Sequence, residues 1–152
     1  MPTPELVTVW IGHPRYEELL GPVRADTALL RQMWLDAESE LDEQPGKLWC
    51  VSVVDGRAGA WAAAVEDCGV LRCCNSYEVP AYRGRGLYAA AYAHRHATIV
   101  APSTLPAITY VYDQPLPLHL ADGWAVTASG TSTVSEPDGD GRFEHRWHAM
   151  RR

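Results

Sequence analysis

The order of sequence patterns predicts an α/β (α+β) fold built on a mixed, mostly antiparallel sheet. Three runs of strand-forming residues follow one another between residues 48 and 79, with a turn signal after each of the first two. A glycine-rich turn then leads into an alanine-rich helical segment and another strand, which is typical of a parallel crossover. We therefore expect roughly six to seven strands in one sheet, flanked by about four helices.

The first half of the chain predicts a strand, a helical region and a hairpin. The run Leu6 to Ile11 indicates a strand. Residues Pro14 to Glu43 follow a helical pattern, and Gly21-Pro22 predicts a break into two helices. Residues 48–54 and 59–65 then indicate two strands joined at Asp55-Gly56, which is a strong hairpin signal.

The second half predicts the crossover and a closing hairpin. Residues 70–79 indicate a third strand, 87–100 a helix, 107–112 a strand and 115–122 a short helix. Residues 124–134 and 143–150 indicate a final hairpin, with a polar tip at residues 136–141 for which we expect mobility. We interpret residues 1–152 as a single domain.

Composition excludes several classes of function. The formal net charge is −6 at pH 7, which disfavours binding to nucleic acid. No apolar stretch approaches the roughly 20 residues of a membrane span, and the N-terminus lacks a signal-peptide pattern, so we expect a cytoplasmic protein. The cysteines form no Cys-x-x-Cys pair, so we expect reduced structural thiols and no metal site. They are Cys50, Cys68, Cys73 and Cys74.

The turn Tyr82-Arg83-Gly84-Arg85-Gly86-Leu87-Tyr88 carries the main functional signal. It lies between a predicted strand and a predicted helix, where unpaired N–H groups and the helix dipole favour an anion. Its glycines permit positive φ and close approach of a ligand, and Arg83 and Arg85 add fork-shaped donors. The turn is neither a dinucleotide fingerprint nor a Walker loop, so by itself it indicates only a phosphate site.

Together with its surroundings, this turn resembles the motif of the GNAT (GCN5-related N-acetyltransferase) superfamily. The family pattern Arg/Gln-x-x-Gly-x-Gly/Ala is matched by residues 83–88 except at the last position, where Tyr88 replaces a small residue. Asp55-Gly56 falls where the family has a hairpin turn, and Leu118 to Trp124 resembles the family's late helix. The resemblance spans about residues 48–134 and implies a GNAT fold.

The resemblance implies that the turn binds acetyl-CoA or another acyl-CoA. In the family, a backbone N–H of the strand before the motif polarises the acyl carbonyl, which places that group here near Tyr77 to Val79. The resemblance implies that the cofactor-binding residues are Tyr77, Val79, Arg83, Gly84, Arg85, Gly86, Leu87 and Tyr88.

Three residues are candidates for proton transfer. His119 occupies the position at which many family members use a Tyr to protonate the departing thiolate, and histidine titrates near neutrality. Tyr112 is an alternative, with Tyr110 beside it. Glu78 is the candidate base for the amine, directly or through water, although bulk solvent could serve instead.

Strand parity limits which residues share the cleft. Side chains alternate along a strand, so Asn75 and Cys73 have the parity of Tyr77 and not that of Glu78 unless a bulge intervenes. Asp113 is a weaker candidate for holding the substrate.

The predicted function is direct transfer of an acyl group, with acetyl first, from a CoA thioester to the amine of a small molecule. Two alternatives stay open. The donor could be an acyl carrier protein or a charged tRNA, or the chain could be a non-catalytic CoA-binding module. The resemblance leaves a homodimer open and implies no metal, nucleic acid or membrane partner.

Overall fold

The described residues form one seven-stranded sheet with four α-helices. The structure is a computed structural model and describes residues 3–136, 139 and 141–152. The strands are β1 (Glu5–Val9), β2 (Leu48–Val54), β3 (Arg57–Asp67), β4 (Val70–Glu78), β5 (Ala107–Tyr112), β6 (Ala125–Ser135) and β7 (Arg142–Arg151). The helices are α1 (Tyr16–Ala25), α2 (Thr27–Ala37), α3 (Leu87–Arg95) and α4 (Leu116–Ala121). A 3₁₀ turn spans Pro80–Tyr82, and a π-helical turn, His96–Val100, extends α3.

The strand order is β1-β2-β3-β4-β5-β7-β6. All neighbours pair antiparallel except β4 and β5, which pair parallel. The predicted fold class, with its mostly antiparallel sheet and one parallel crossover, is therefore confirmed. The last strand crosses back to lie between β5 and β6, so the closing hairpin is attached to the sheet through β7.

Alternation along the strands gives the sheet two covered faces. Trp49, Trp61 and Tyr77 pack into one apolar cluster with α1 and α2. The small side chains of Ala60, Ala62 and Ala64 have the opposite parity and are buried on the face that carries α3. An alanine row leaves room for a helix to lie close to the sheet.

The N-terminal region differs from its prediction in where the helices break. The predicted break at Gly21-Pro22 is wrong, because α1 runs through Pro22. The break comes instead at Asp26, whose side chain accepts a hydrogen bond from Leu29 N at 3.0 Å and caps α2. Proline removes only one helical hydrogen bond here, whereas the cap starts a new helix in a new direction.

The predicted helical pattern also extended too far, to Glu43. Helix α2 ends at Ala37, because Glu38 adopts the left-handed conformation (φ 48°) and its N–H bonds back to Trp34 O. Residues 38–47 form a loop instead, and the buried Lys47 anchors it through hydrogen bonds to Asp42 and Asn75.

The remaining elements agree with their predictions to within a few residues. Asp55 and Gly56 both have positive φ (51° and 74°), as a two-residue hairpin turn requires. The first strand covers Glu5–Val9 where Leu6 to Ile11 was predicted. The predicted tip of the closing hairpin lies partly outside the described residues, at positions 137, 138 and 140.

A β-bulge in β4 reverses the parity of its side chains. Trp61 pairs with Tyr77 while Ala63 pairs with Cys74, so β4 carries one extra residue in this stretch. Asn75, with φ 53°, lies within the bulge. Cys73 therefore faces the α3 side, with Glu78, while Tyr77 and Asn75 face the loop after α2.

Strands β4 and β5 separate soon after they pair. Their register covers only three pairs, Leu71↔Ala107 to Cys73↔Thr109. The Thr109 hydroxyl donates to Cys73 O at 2.8 Å at the last pair. Beyond it, the edge of β4 from Cys74 to Glu78 has no partner strand among the described residues, and this edge is called the β4–β5 opening below.

Two further observations complete the description of the fold. The four cysteines are free thiols. None of the helices in the described part of the chain is long and apolar enough to cross a membrane.

The close approach of α3 to the sheet predicts the effect of Gly59→Ala. A Cβ at Gly59 would lie 2.6 Å from Leu87 Cδ1 and 2.9 Å from Val54 Cγ1, both in the packed interior. We expect this variant to lose roughly 1–3 kcal/mol of unfolding free energy, measured by urea denaturation. The control is Gly21→Ala within α1, whose Cβ would meet only the flexible Glu17 carboxylate at 3.2 Å. It should gain up to about 1 kcal/mol, and equal effects of the two variants would contradict the packing argument.

Candidate active site

The glycine-rich turn positions the first residues of α3 at the β4–β5 opening. Gly86 has φ 72° and precedes the first helical residue, a conformation that glycine adopts without strain. Leu87 is buried, and its carbonyl accepts a hydrogen bond from the Ser52 hydroxyl at 2.7 Å. Gly84 also has positive φ (81°) and, like Gly86, has open space where a Cβ would point. The turn therefore exposes backbone while its helix is held to the sheet.

The start of α3 already binds an anionic group. The Glu78 carboxylate, at the end of β4, accepts a hydrogen bond from Tyr88 N at 2.8 Å. No side chain at Gly86 can cap the helix, so this carboxylate satisfies one of its free N–H groups. The predicted base and the predicted anion site are thus in direct contact.

The two arginines of the turn point to different surroundings. Arg83 donates to the Asp36 carboxylate at 2.9 Å and lies over the Tyr77 ring, at the end of α2. The exposed Arg85 lies over the Tyr82 ring. Only Arg85 thus keeps a guanidinium without a carboxylate partner among the described residues of this turn.

A row of tyrosine–carboxylate pairs lines the opposite face of the opening. Tyr77 donates to Asp36 at 2.6 Å, and Tyr112 donates to Glu38 at 2.5 Å. Ser132 of β6 also donates to Glu38, at 2.6 Å. These bonds tie the end of α2 to the ends of β4, β5 and β6, around the point where β4 and β5 part.

The bonds keep both carboxylates ionised. Burial acts against ionisation of Asp36, but hydrogen bonds from Tyr77 and Arg83 hold its pKa below the ordinary value. Hydrogen bonds from Ser132 and Tyr112 lower the pKa of Glu38. Burial and the Glu38 bond together raise the pKa of Tyr112 well above its ordinary value. Tyr112 is therefore a neutral phenol at neutral pH.

The N–H of Glu78 faces the opening. Val79 N donates to Gly59 O at 2.9 Å, so the N–H of Val79 points to β3. Backbone groups alternate in direction along a strand, and Glu78 pairs with Ala60 between two such positions. Its N–H therefore points to the other edge, which has no partner strand here.

Comparison with solved structures identifies this arrangement. Escherichia coli ElaA superimposes with a TM-score of 0.63 at 11% identity, covering 98% of this chain and 99% of that one. A GNAT superfamily phosphinothricin acetyltransferase from Sinorhizobium meliloti, solved in complex with AcCoA, gives 0.62 at 16% identity, covering 99% and 88%. The ribosomal-protein-S18-alanine N-acetyltransferase of Escherichia coli gives 0.59 at 13%, covering 97% and 92%.

The chain has the GNAT fold. At these identities the likeness establishes the arrangement of helices and strands, and the chemistry has to be argued from the residues themselves. No protein-family model and no curated protein matches the sequence. In this fold the glycine-rich turn, the end of β4 and the end of β5 lie around one opening.

His119 occupies the predicted place on α4 in this GNAT fold, but its environment limits its chemistry. The side chain is only 1% exposed. Its Nδ1 lies 3.0 Å from Pro115 O, so the neutral ring uses its single N–H in that bond. Burial lowers the pKa of His119 to about 4, so the ring is neutral near pH 7. Its free nitrogen, Nε2, then carries a lone pair and has no proton to give a departing thiolate.

A group of buried nitrogens surrounds Tyr92 between α3 and α4. The Tyr92 ring contacts His119 at 4.8 Å between centroids, and its hydroxyl donates to Leu118 O at 3.3 Å. Four nearby nitrogens are buried without a hydrogen-bond partner in the described structure. They are Arg95 Nε, His96 Nδ1, His119 Nε2 and Trp124 Nε1. This interior is therefore more polar than the apolar pattern of α3 indicates.

The other predicted residues lie around or beside the opening. Val79 packs against the cluster below α1 and α2. Tyr88 is partly buried beside Tyr92. Tyr110 is 71% exposed and contacts Trp147, so it points away from the opening. Asp113 lies 2.6 Å from His148 Nε2 and supports β7. In the described part of the chain, His, Cys, Asp and Glu side chains form no group of three able to hold a metal ion.

Sequence reasoning missed four residues of the site. Asp36 and Glu38 lie in a region with no recognisable motif, and only the packing of α2 brings them to the opening. Ser76 and Arg95 meet because the bulge in β4 turns Ser76 toward α3. Alternation along β4 puts Ser76 on the same face as Glu78, so that relation could be predicted from the sequence, whereas the contact of Ser76 with Arg95 could not.

The buried His119 predicts a loss of stability on mild acidification. Its pKa is about 4 when folded and near 6.5 when unfolded, so between these values only the unfolded chain takes up the proton. Stability should therefore fall by up to roughly 3 kcal/mol from pH 6.5 to 4. Urea denaturation at several pH values should show a flatter dependence for His119→Gln. His13→Gln, outside the site, is the control, and a parallel pH dependence of His119→Gln and the wild type would contradict the burial effect.

Proposed function

We propose that this protein is an acyl-CoA-dependent N-acyltransferase that moves an acyl group, acetyl first, onto the amine of a small molecule. The observation that carries the proposal is the β4–β5 opening, where the unpaired N–H of Glu78 adjoins the glycine-rich start of α3. The N–H of Glu78 can polarise a thioester carbonyl, and the start of α3 can bind a pyrophosphate. The GNAT fold of the chain supports this pairing of roles.

The residues at the start of α3 fit a pyrophosphate. The Tyr88 N–H already donates to an anionic oxygen, that of the Glu78 carboxylate. The open space beside Gly84 and Gly86 lets the turn lie against a ligand, and the exposed Arg85 can add charge. Of the cofactor-binding residues predicted from the sequence, we retain Gly84, Arg85, Gly86, Leu87 and Tyr88 for the pyrophosphate, because Arg83 is paired with Asp36 and Val79 N is bonded to Gly59 O. The Tyr88 side chain turns toward α3's buried face, so it leaves its own N–H accessible to Glu78.

The reaction needs a donor at the developing oxyanion and a way to remove the amine proton. The Glu78 N–H is fixed by the strand and can stabilise the negative charge on the carbonyl oxygen. Once a pyrophosphate displaces its carboxylate from Tyr88 N, Glu78 is free to take the amine proton, directly or through water. Tyr112, with its neutral phenol, and the ionised Glu38 then border the acceptor side. We propose a cytoplasmic location for this reaction.

Gly86→Glu should abolish CoA binding. It places bulk and negative charge where the pyrophosphate is proposed to bind, so we expect no heat of CoA binding in titration calorimetry. The matched control is Gly69→Glu in the turn between β3 and β4, where φ is 79° and a Cβ also meets nothing within 4 Å. Both variants add the same strain and charge, so loss of binding in both, or in neither, would contradict this placement of the site.

Glu78→Ala should separate CoA binding from turnover. Removing the carboxylate frees Tyr88 N, so we expect CoA to bind about 3–10-fold more tightly. Turnover should fall by roughly 100-fold or more if Glu78 takes the amine proton. Calorimetry and steady-state kinetics measure the two effects, with the exposed Glu66→Ala as control. Weaker CoA binding would contradict the proposed competition between the Glu78 carboxylate and the pyrophosphate for Tyr88 N. Unchanged turnover would mean that solvent, and not Glu78, removes the amine proton.

The acyl donor and acceptor can be tested together. Release of free CoA thiol from acetyl-CoA with a panel of small amines would support the proposal. Turnover only with an acyl carrier protein or a charged tRNA would change the donor. Tight CoA binding without release of thiol across the panel would instead indicate a non-catalytic CoA-binding module.

A further inference from the structure

Arg95 is a buried cation without an anionic partner. Its side chain is 1% exposed and lies at the end of α3, facing the sheet. Nη1 donates to Ala63 O at 3.0 Å and to Ser76 Oγ at 3.3 Å. No carboxylate in the described part of the chain forms an ion pair with it, and its Nε has no hydrogen-bond partner there. Burying an unpaired charge is costly, so a role that uses the charge is a reasonable expectation.

The charge of Arg95 acts on the groups that face it from the packed elements. Burial raises the pKa of Tyr88 on α3 and of Cys73 on β4, and in both groups Arg95 acts in the opposite direction. Burial also raises the pKa of Tyr92 and lowers that of His119 on α4, and the charge of Arg95 acts to lower both pKa values. The Arg95 position therefore favours negative charge on any neighbouring oxygen or sulfur.

Ser76 connects this charge to the β4–β5 opening. It follows the bulge in β4 and lies beyond the last residue that pairs with β5, Cys73. It is two residues before Glu78, on the same face of the strand, so its hydroxyl and the Glu78 N–H lie along one stretch of the opening. Ser76 Oγ accepts a hydrogen bond from Arg95, so its own O–H can donate, and the Tyr88 hydroxyl is one acceptor within its reach. For Tyr88, this hydroxyl and Arg95 both favour the anionic form.

We propose that Ser76 and Arg95 form the leaving-group site of the acyl transfer, in which the Ser76 hydroxyl donates to the sulfur and the guanidinium stabilises its negative charge. This inference rests on the proposed function. The amine nitrogen bonds to the carbonyl carbon, and the C–S bond breaks with its electron pair moving to sulfur. The amine loses a proton to Glu78 or water, and the sulfur finally takes one up from solvent to give the free CoA thiol.

The other candidates are less able to perform this role. His119 has its N–H bound to Pro115 O, and Tyr112 has its hydroxyl bound to Glu38 on the face that carries α2. Ser76 would be a catalytic residue, since it contacts the sulfur, and Arg95 a positioning residue that acts through Ser76 and through its field.

The test is the titration of the CoA thiol while it is bound. The far-ultraviolet absorbance of the thiolate is followed against pH for the CoA complex, with the free protein as baseline because its own cysteines titrate. We expect the bound thiol to have a pKa roughly one unit or more below that of free CoA in the wild type. Ser76→Ala and Arg95→Met should move it back toward the free value, while Ser76→Thr and Arg95→Lys should retain much of the shift.

The same variants give a kinetic readout. Ser76→Ala should lower kcat by roughly 10-fold or more with little change in the affinity for CoA, and Ser76→Thr should recover most of the rate. Ser135→Ala, at the exposed end of β6, is the matched control and should change neither quantity. If Arg95→Met does not fold, the two Ser76 variants and Arg95→Lys still decide the question.

The outcomes separate this inference from the proposed function. Absence of CoA binding to the wild type in calorimetry would overturn both. CoA binding with a thiol that titrates as it does in free solution would overturn the leaving-group site alone. So would a shifted thiol pKa that Ser76→Ala leaves unchanged.

Discussion

The separation of β4 from β5 is the constraint on which the rest of the site depends. Two parallel strands pair over three residues and then part, so the edge of β4 keeps free backbone groups in the middle of the sheet. Such groups are costly in a protein interior unless something binds them. The bulge at Asn75 turns Ser76 and Glu78 toward α3 and Tyr77 toward α2, so the two faces of the opening receive different chemistry. The proposed binding of a thioester and the proposed reaction with an acceptor amine both use this one gap in the sheet.

Charge is divided between the two faces of this opening. On the α2 side, Asp36 and Glu38 are held ionised by tyrosine and serine hydroxyls and by Arg83. On the α3 side, the only carboxylate in contact with the helix start is Glu78 among the described residues, and the buried Arg95 has no anion at all. In the proposed reaction, the first face would border the acceptor amine, and the second would border the anionic donor and the anionic leaving group. The proposed binding of an anion depends on this local arrangement of groups and not on the net charge of −6.

The polar interior between α3 and α4 changes how the departures from the family motif are understood. His119 replaces the usual tyrosine, yet its N–H is committed to Pro115 O and its ring is neutral. Tyr88 replaces a small residue, and its ring turns inward beside Tyr92 while its N–H stays at the helix start. Both substitutions therefore belong to one buried group that also contains Arg95. The low pKa of His119 agrees with its position near the unpaired Arg95, because the charge of the arginine disfavours a second positive charge nearby.

The sequence by itself determined the order of elements, the Asp55-Gly56 hairpin, the glycine-rich turn and the mixed sheet, because these depend on local periodicity and on residues with special backbone freedom. It placed the helix break wrongly at Gly21-Pro22, where the Asp26 cap decided the outcome. Only the tertiary structure decided that Asp36 and Glu38 reach the opening, that Glu78 caps α3, and that Arg95 is buried against Ser76. Those contacts join residues far apart in the chain, and they depend on one extra residue in β4, whose effect on side-chain direction no local pattern specifies.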